Sequence, residues 1–437
     1  MKLSVKLMSL VALTTLLGIF LVGCGGNNAS SNNGSSPVTI SYWTWNPDIN
    51  TVKQEVTAFE KQYPNIHVDY KVPGYTDYLV NLKAAANAGS LPTIFGMQVG
   101  GLQAQYLQYL QPLQNFAQTG LGSNWESKYV KTGLDQARIV NPSGDSNYYT
   151  VPESMGSESL LVNNAVFAKY NLPIPQTFEE LKQDAAVLNS HGVAPMLLGG
   201  ADGWQNEDLF LEIADQVAGN DWYQAQKAGT GFDTPGLIQA MNIWKSLFTD
   251  HIVQTGAIGA HAYPNEVNAF NQGQGAIIPL GSWAIQGTLP GANNVPLSKN
   301  WSLMLFPKLT ATATPMPLAG ADVLLGISKN ASSDQSAAGW KLIQFLSQGE
   351  GQSIYTDAMI DLPAQAGLTP TTLSQASPNA TTMYQQSVDW ANTGTLRYVL
   401  YPQLDQALVT ALASVATGQA TSAAALTKLN GVVQQQQ

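Results

Sequence analysis

Phe270-Asn271-Gln272-Gly273-Gln274-Gly275-Ala276-Ile277-Ile278-Pro279-Leu280-Gly281-Ser282-Trp283 sets the pattern for the whole 437-residue chain. It reads as the end of a helix, a glycine turn, a short buried strand over 276–280, and a Gly-Ser step that delivers a tryptophan at the strand's carboxyl end. In an open α/β sheet that edge is where ligands bind. Trp283 is therefore a candidate flat apolar wall at the mouth of a cleft. The alternative is packing in the core, since tryptophan is highly buried on average.

Outward from this stretch, strands and helices alternate. Residues 38–43 read as an opening strand running into a loop that carries Trp45 and Asp48. A helix follows with Val52, Val56, Phe59 and Tyr63 on one face, stopped by Pro64. Ile66, Val68, Tyr70 and Val72 alternate as a second strand, 75–88 reads as a second helix closed by Gly89, and 91–95 is a third strand feeding Gln98. This order predicts right-handed βαβ units and a mainly parallel sheet. A second series begins at 195–198, a strand whose loop leads to Trp204 and a helix over Leu209, Ile213 and Val217.

Between the two series the chain crosses over near 149–155, which makes Glu153 and Ser154 candidates to face the cleft. A return strand over 319–329 carries Asp322. Trp390 and Arg397, beside Tyr398 and Tyr401, precede two terminal helices at 403–417 and 422–433. The candidate ligand-binding set is Trp45, Asp48, Gln98, Glu153, Ser154, Trp204, Trp283, Asp322, Trp390 and Arg397. Indole faces suit the C–H face of a sugar ring, while carboxylates, amides and a guanidinium suit its hydroxyls.

Composition narrows the classes. Hydrophobic residues make up 44%, so the chain is globular, and its length accommodates two domains. Charged residues are only 11%, against roughly 25% in an average domain. The net charge is −10 and the sequence shows no Lys/Arg cluster, which argues against nucleic acid as a partner. A surface thin in both signs suits an acidic exterior, because protonating the carboxylates leaves few cations to repel one another.

Residues 1–23 have a basic start and an apolar run, the order of a secretory signal peptide. They end in Leu21-Val22-Gly23-Cys24, similar to a bacterial lipobox. Cys24 is the one cysteine of the chain and the expected lipidation site, with 24–36 as a flexible tether. Loss of Lys2 and Lys6 with the leader takes the charge from −10 to −12.

The segment at 270–283 resembles the "F-x-x-G-x-A-A-M-x-x-x-G-x-W" motif of the extracellular solute-binding proteins that feed carbohydrate ABC transporters, the maltose-binding-protein-like family. Tyr149 to Pro152, Leu160 to Asn164 and Phe167 to Leu181 resemble that family's "Y-x-V-P", "L-x-Y-N-K" and "F-x-K-x-G-L-x-x-P-x-T-W-x-E-L". Thr177 and Glu180 of the last segment form a capping box. Ala319 to Ser328 resembles the "G-G-x-x-L-x-I-S" return strand. Departures are Thr93 for Asp, Val162 for Tyr, Asn164 for Lys, Asn171 for Gly and Ala321 for a second Gly. Asn171 is the mildest, since Asn tolerates the left-handed position after a helix.

The resemblance implies an α/β, two-lobed periplasmic-binding-protein-like fold hinged around a ligand cleft, each lobe a mainly parallel sheet flanked by helices. The first lobe is expected over 37–153 plus 306–330 and the second over 154–305 plus 331–437. It implies a non-enzyme that captures an oligosaccharide outside the cell and delivers it to an ABC permease, as a monomer anchored to the outer face of the membrane through Cys24, with no cofactor and no metal. The scattered His67, His191, His251 and His261 give no metal-site spacing. A secreted glycoside hydrolase and a binder of a non-sugar solute are the competing readings; the first needs two carboxyls facing each other across a scissile bond.

Overall fold

The computed structural model describes residues 36–139, 147–288 and 300–433. Cys24, the leader and all but the last residue of the expected tether lie outside the described residues. Ten strands are described: β1 (Val38–Trp43), β2 (Ile66–Lys71), β3 (Ile94–Met97), β4 (Thr150–Asn163), β5 (Ala194–Met196), β6 (Gly275–Gly281), β7 (Trp301–Met304), β8 (Leu318–Ile327), β9 (Leu362–Pro363) and β10 (Thr395–Leu396).

The order β2-β1-β3-β8-β4-β6-β5 places the opening strands at one end and β5 and β6 at the other. β1 is parallel to both β2 and β3, and β5 is parallel to β6. These are the βαβ units that the alternation of elements predicts. The two long strands between them make only antiparallel pairs with the strands at their sides: β8 is antiparallel to β3 and to β4, and β4 is antiparallel to β6 and β7.

β4 joins the halves. Its residues from Thr150 to Ser157 pair with β8, and those from Glu158 to Val162 pair with β6. All fourteen of its residues are buried, as are all ten of β8. Strands covered on both faces read as near-continuous apolar or small-residue runs, and 318–327 does so except at Asp322. That exception marks the site.

Each half has its own core. Ile40 and Tyr42 on alternate positions of β1, Phe59 from the helix Ile49–Gln62, Phe95, Val323 and Leu346 belong to the first. Val162, Leu181, Ile213, Trp244, Ile277 and Leu408 belong to the second. At the carboxyl end of β1, Asp48 Oδ1 accepts from Asn50 N at 2.9 Å and caps the helix Ile49–Gln62. The capping box expected at Thr177 and Glu180 is present at the start of the helix Phe178–Ser190.

One part of the expected division is corrected. The helices Ser333–Ser347 and Glu350–Met359 pack on β1 and on the helix Ile49–Gln62, and Trp340, Ile343 and Leu346 sit in the core with Ile40 and Phe59. They belong with the first half, although 331–437 was expected whole in the second. Among the described residues no helix is long and apolar enough to cross a membrane.

Candidate functional site

A cavity of about 700 Å³ opens where the carboxyl ends of the strands from both halves meet, within the range typical of small-molecule sites. Seven of the ten residues singled out in the sequence line it: Trp45, Asp48, Gln98, Trp204, Trp283, Asp322 and Arg397.

The first-lobe wall is built on Trp45, two residues past β1. Its ring rests on Tyr75 at 5.3 Å and Tyr78 at 5.1 Å between centroids. Gly96 makes this possible: a Cβ there would lie 3.2 Å from Trp45 Cζ3, crowding the ring. Tyr75, the first residue of the helix Tyr75–Asn87, donates its hydroxyl to Gln98 Oε1 and so fixes the amide at the cavity edge.

The second-lobe wall is built on Trp283 and Trp204, whose rings meet edge to face at 5.9 Å. β6 ends at Gly281, and the turn Ser282–Thr288 carries Trp283 back over that glycine. A Cβ at Gly281 would fall inside the indole, so only glycine permits this placement. Ser282 donates to Asp361 Oδ1 and pins the turn, while Trp283 Nε1 donates to Tyr263 Oη at 3.0 Å. The Tyr263 side chain is half exposed, with its hydroxyl end held at the indole and its ring at the cavity rim.

Arg397 lies beneath this wall, only 4% exposed. Its guanidinium is 4.9 Å from the Trp283 ring and 4.9 Å from the Tyr398 ring. Nε and Nη2 each donate to Asp208 at 3.3 Å, Nη1 donates to Asp322 Oδ1 at 3.0 Å, and Nε lies 2.7 Å from Glu158 Oε1. Three buried carboxyls thus share one cation. Burial pushes Asp208 up to about 6 and Glu158 well above the carboxylate range, with Arg397 pulling the other way in both. Asp322 Oδ1 also accepts from Tyr398 Oη at 3.2 Å. Both of these donors meet Asp322 at Oδ1, and Asp322 borders the cavity.

Three expected residues are not brought to the cavity. Glu153 is fully buried in β4 and accepts from Tyr42 Oη at 3.2 Å; burial pushes its carboxyl up to about 8. Ser154 is buried beside it, accepting from Val323 N at 3.3 Å. The crossover is a strand enclosed on both faces, and so these side chains, expected to face the cleft, are buried in the core. Trp390, on the helix Ala380–Thr393, packs against the first core and does not line the cavity.

Tyr75, Tyr263 and Trp301 line the cavity without having been singled out. Tyr75 had a signal: it opens the helix after β2, at the same sheet edge as Trp45. Trp301 opens β7, and its ring lies 5.4 Å from Phe270. Asp202, in the loop before Trp204, pairs with His261 Nδ1 at 2.6 Å and accepts from Ala262 N at 2.7 Å. The three acids that a hydrolase reading would draw on are separately engaged: Asp48 caps a helix, Glu153 is enclosed, and Asp322 holds Arg397.

Residues 44–353 match the family model described as bacterial extracellular solute-binding protein. A multiple sugar-binding protein of Streptococcus mutans is 21% identical over 286 residues, covering 64% of this chain and 65% of that protein. The glucose-binding protein GlcS of Saccharolobus solfataricus is 27% identical over 227 residues, 48% of this chain and 40% of the archaeal one. Among solved structures, a chitin oligosaccharide binding protein superposes with a TM-score of 0.78 at 21% identity, over 91% of this chain and 98% of its own.

Proposed function

The chain belongs to the bacterial extracellular solute-binding proteins, and from that premise we propose that it captures an oligosaccharide outside the cell and hands it to an ABC-type permease. The observation that carries this reading is the pair of aromatic walls, Trp45 with Tyr75 on one side and Trp283 with Trp204 on the other, around a single cavity of about 700 Å³. Pyranose rings present apolar faces and hydroxyl edges at once. A cavity with indole walls and with Asp322, Gln98 and Asp48 at its margins matches both.

The protein binds and releases its sugar without breaking a bond. The two halves close by bending β4 and β8, the strands that run between them. Export by the leader and lipidation of Cys24 hold the protein at the outer face of the membrane, within reach of the permease. The sugar-binding names of several relatives support the ligand class.

Isothermal titration of the purified protein with malto-, xylo-, gluco- and galacto-oligosaccharides tests this. Saturable binding of one of them at one ligand per chain, with the sugar recovered intact, is the expected result. Turnover of the sugar would make the protein a hydrolase, and silence from every carbohydrate would remove the ligand class.

A further inference from the structure

The charges around the cavity are one-sided. Asp48, Asp77, Asp202 and Asp322 line it, and its cationic candidates are Arg397 and His261. Each is already offset by carboxylates. Arg397 is enclosed by Asp208, Glu158 and Asp322, and His261 is paired with Asp202. An adjoining cavity of about 480 Å³ shares Arg397, Trp204 and Tyr75 with the first; it adds Glu207, Asp208 and Asp405 against Lys83. A sugar carboxylate or phosphate needs a free guanidinium or ammonium for charge-assisted hydrogen bonds. Asp322, 6% exposed, is a deeply buried acceptor that lines the cavity, and its donors Arg397 Nη1 and Tyr398 Oη both meet Oδ1, which leaves Oδ2 to a ligand.

Resting on the carbohydrate reading above, we propose that the ligand is an uncharged oligosaccharide and that the cleft excludes uronic acids and sugar phosphates by charge. Asp322 Oδ2 accepts a sugar hydroxyl; a carboxylate in that place meets an acceptor it cannot bond to, inside a ring of like charges. The aromatic walls accept either sugar, so discrimination falls to the acids.

The test compares each neutral hexose oligosaccharide with the same compound oxidised at C6 to the uronic acid, titrated into the purified protein near neutral pH. The neutral member is expected to bind, and its oxidised partner to bind at least about tenfold more weakly at low salt, a difference of about 1.4 kcal/mol. The gap should narrow in about 0.5 M salt, which shortens the Debye length to a few ångströms. It should also narrow in D322N and, to a lesser degree, in D77N, whose side chain is exposed at the rim. Equal or tighter binding of the oxidised member overturns the proposal, as does a gap indifferent to salt and to both variants, which would be steric. Silence from both series with the protein folded overturns the carbohydrate reading and this inference together. Binding confined to the oxidised series overturns only the charge rule.

Discussion

Trp283 and Arg397 depend on each other. The guanidinium under the indole supplies a cation–π contact, and the indole shields an ion cluster that water would otherwise weaken. Trp283→Ala is expected to lower sugar affinity by about 10–100-fold, equivalent to roughly 1.4–2.7 kcal/mol, with little change in unfolding temperature, because the ring is only half-buried. Parallel titration and thermal melts of the variant check both halves of that statement. Arg397→Ala has the opposite signature. It leaves Glu158, Asp208 and Asp322 buried without their cation, a loss of about 3–5 kcal/mol near neutral pH. The loss should shrink at about pH 4.5, where Asp208 and Glu158, both raised by burial, take up protons and no longer need a counter-ion. Equal loss at both values would mean that the arginine acts by packing alone.

Part of the candidate site was legible at this scale. Trp45, Trp204 and Trp283 could be read because each follows a strand at the sheet's carboxyl edge, and Asp322 and Arg397 because charge is scarce in this chain. Glu153 and Ser154 could not be told apart from cleft residues, because sequence shows a crossing without showing which faces of it are covered. Tyr263 is brought to Trp283 from twenty positions away by tertiary packing, and nothing local announces it.

Among the elements, the turn after β6 sets the place of a cavity wall, because it carries Trp283. Gly281 is read in the sequence as a strand end; in the structure its lack of a side chain is what lets the Trp283 ring lie back over the strand. Gly281→Ala is expected to displace the indole, cost about 1–3 kcal/mol by overpacking, and abolish sugar binding while the far-ultraviolet circular dichroism stays native. Gly259→Ala is its control, since a Cβ there meets nothing within 4 Å. Unchanged binding in Gly281→Ala would mean that the ring's place is not set by the glycine. Caps, turns and strand alternation were legible because they are local. The helices Ser333–Ser347 and Glu350–Met359 fall in the stretch expected in the second lobe but joined the first, because amphipathic faces fit either core and sequence does not say which one they reach.

At the scale of the whole molecule, buried acids among the described residues outnumber the buried cations that could balance them. Burial raises Glu153 and Glu212 to about 8, Asp361 to about 7, and Asp208 and Asp215 to about 6. Both oxygens of buried Glu55 lack a donor among the described residues, as fits a protonated acid. A carboxyl whose folded pKa exceeds its unfolded value contributes fully below about pH 4, and its contribution falls as pH rises through the folded value. Stability should therefore be greatest in mild acid and decline by several kcal/mol between about pH 4 and pH 8. Urea denaturation at steps across that range measures it, and a maximum near pH 7 would contradict the raising of these acids by burial. An acid-tolerant interior agrees with the low surface charge read from composition.

The most direct test of the account is the position of a bound sugar, determined by crystallography of the protein with whichever oligosaccharide titration identifies. The account predicts a pyranose ring lying on the Trp283 indole, facing Trp45 across the cleft, with a hydroxyl donating to Asp322 Oδ2. A sugar seated elsewhere, or seated there with Arg397 withdrawn from its carboxylates to grip it, would contradict the site as described.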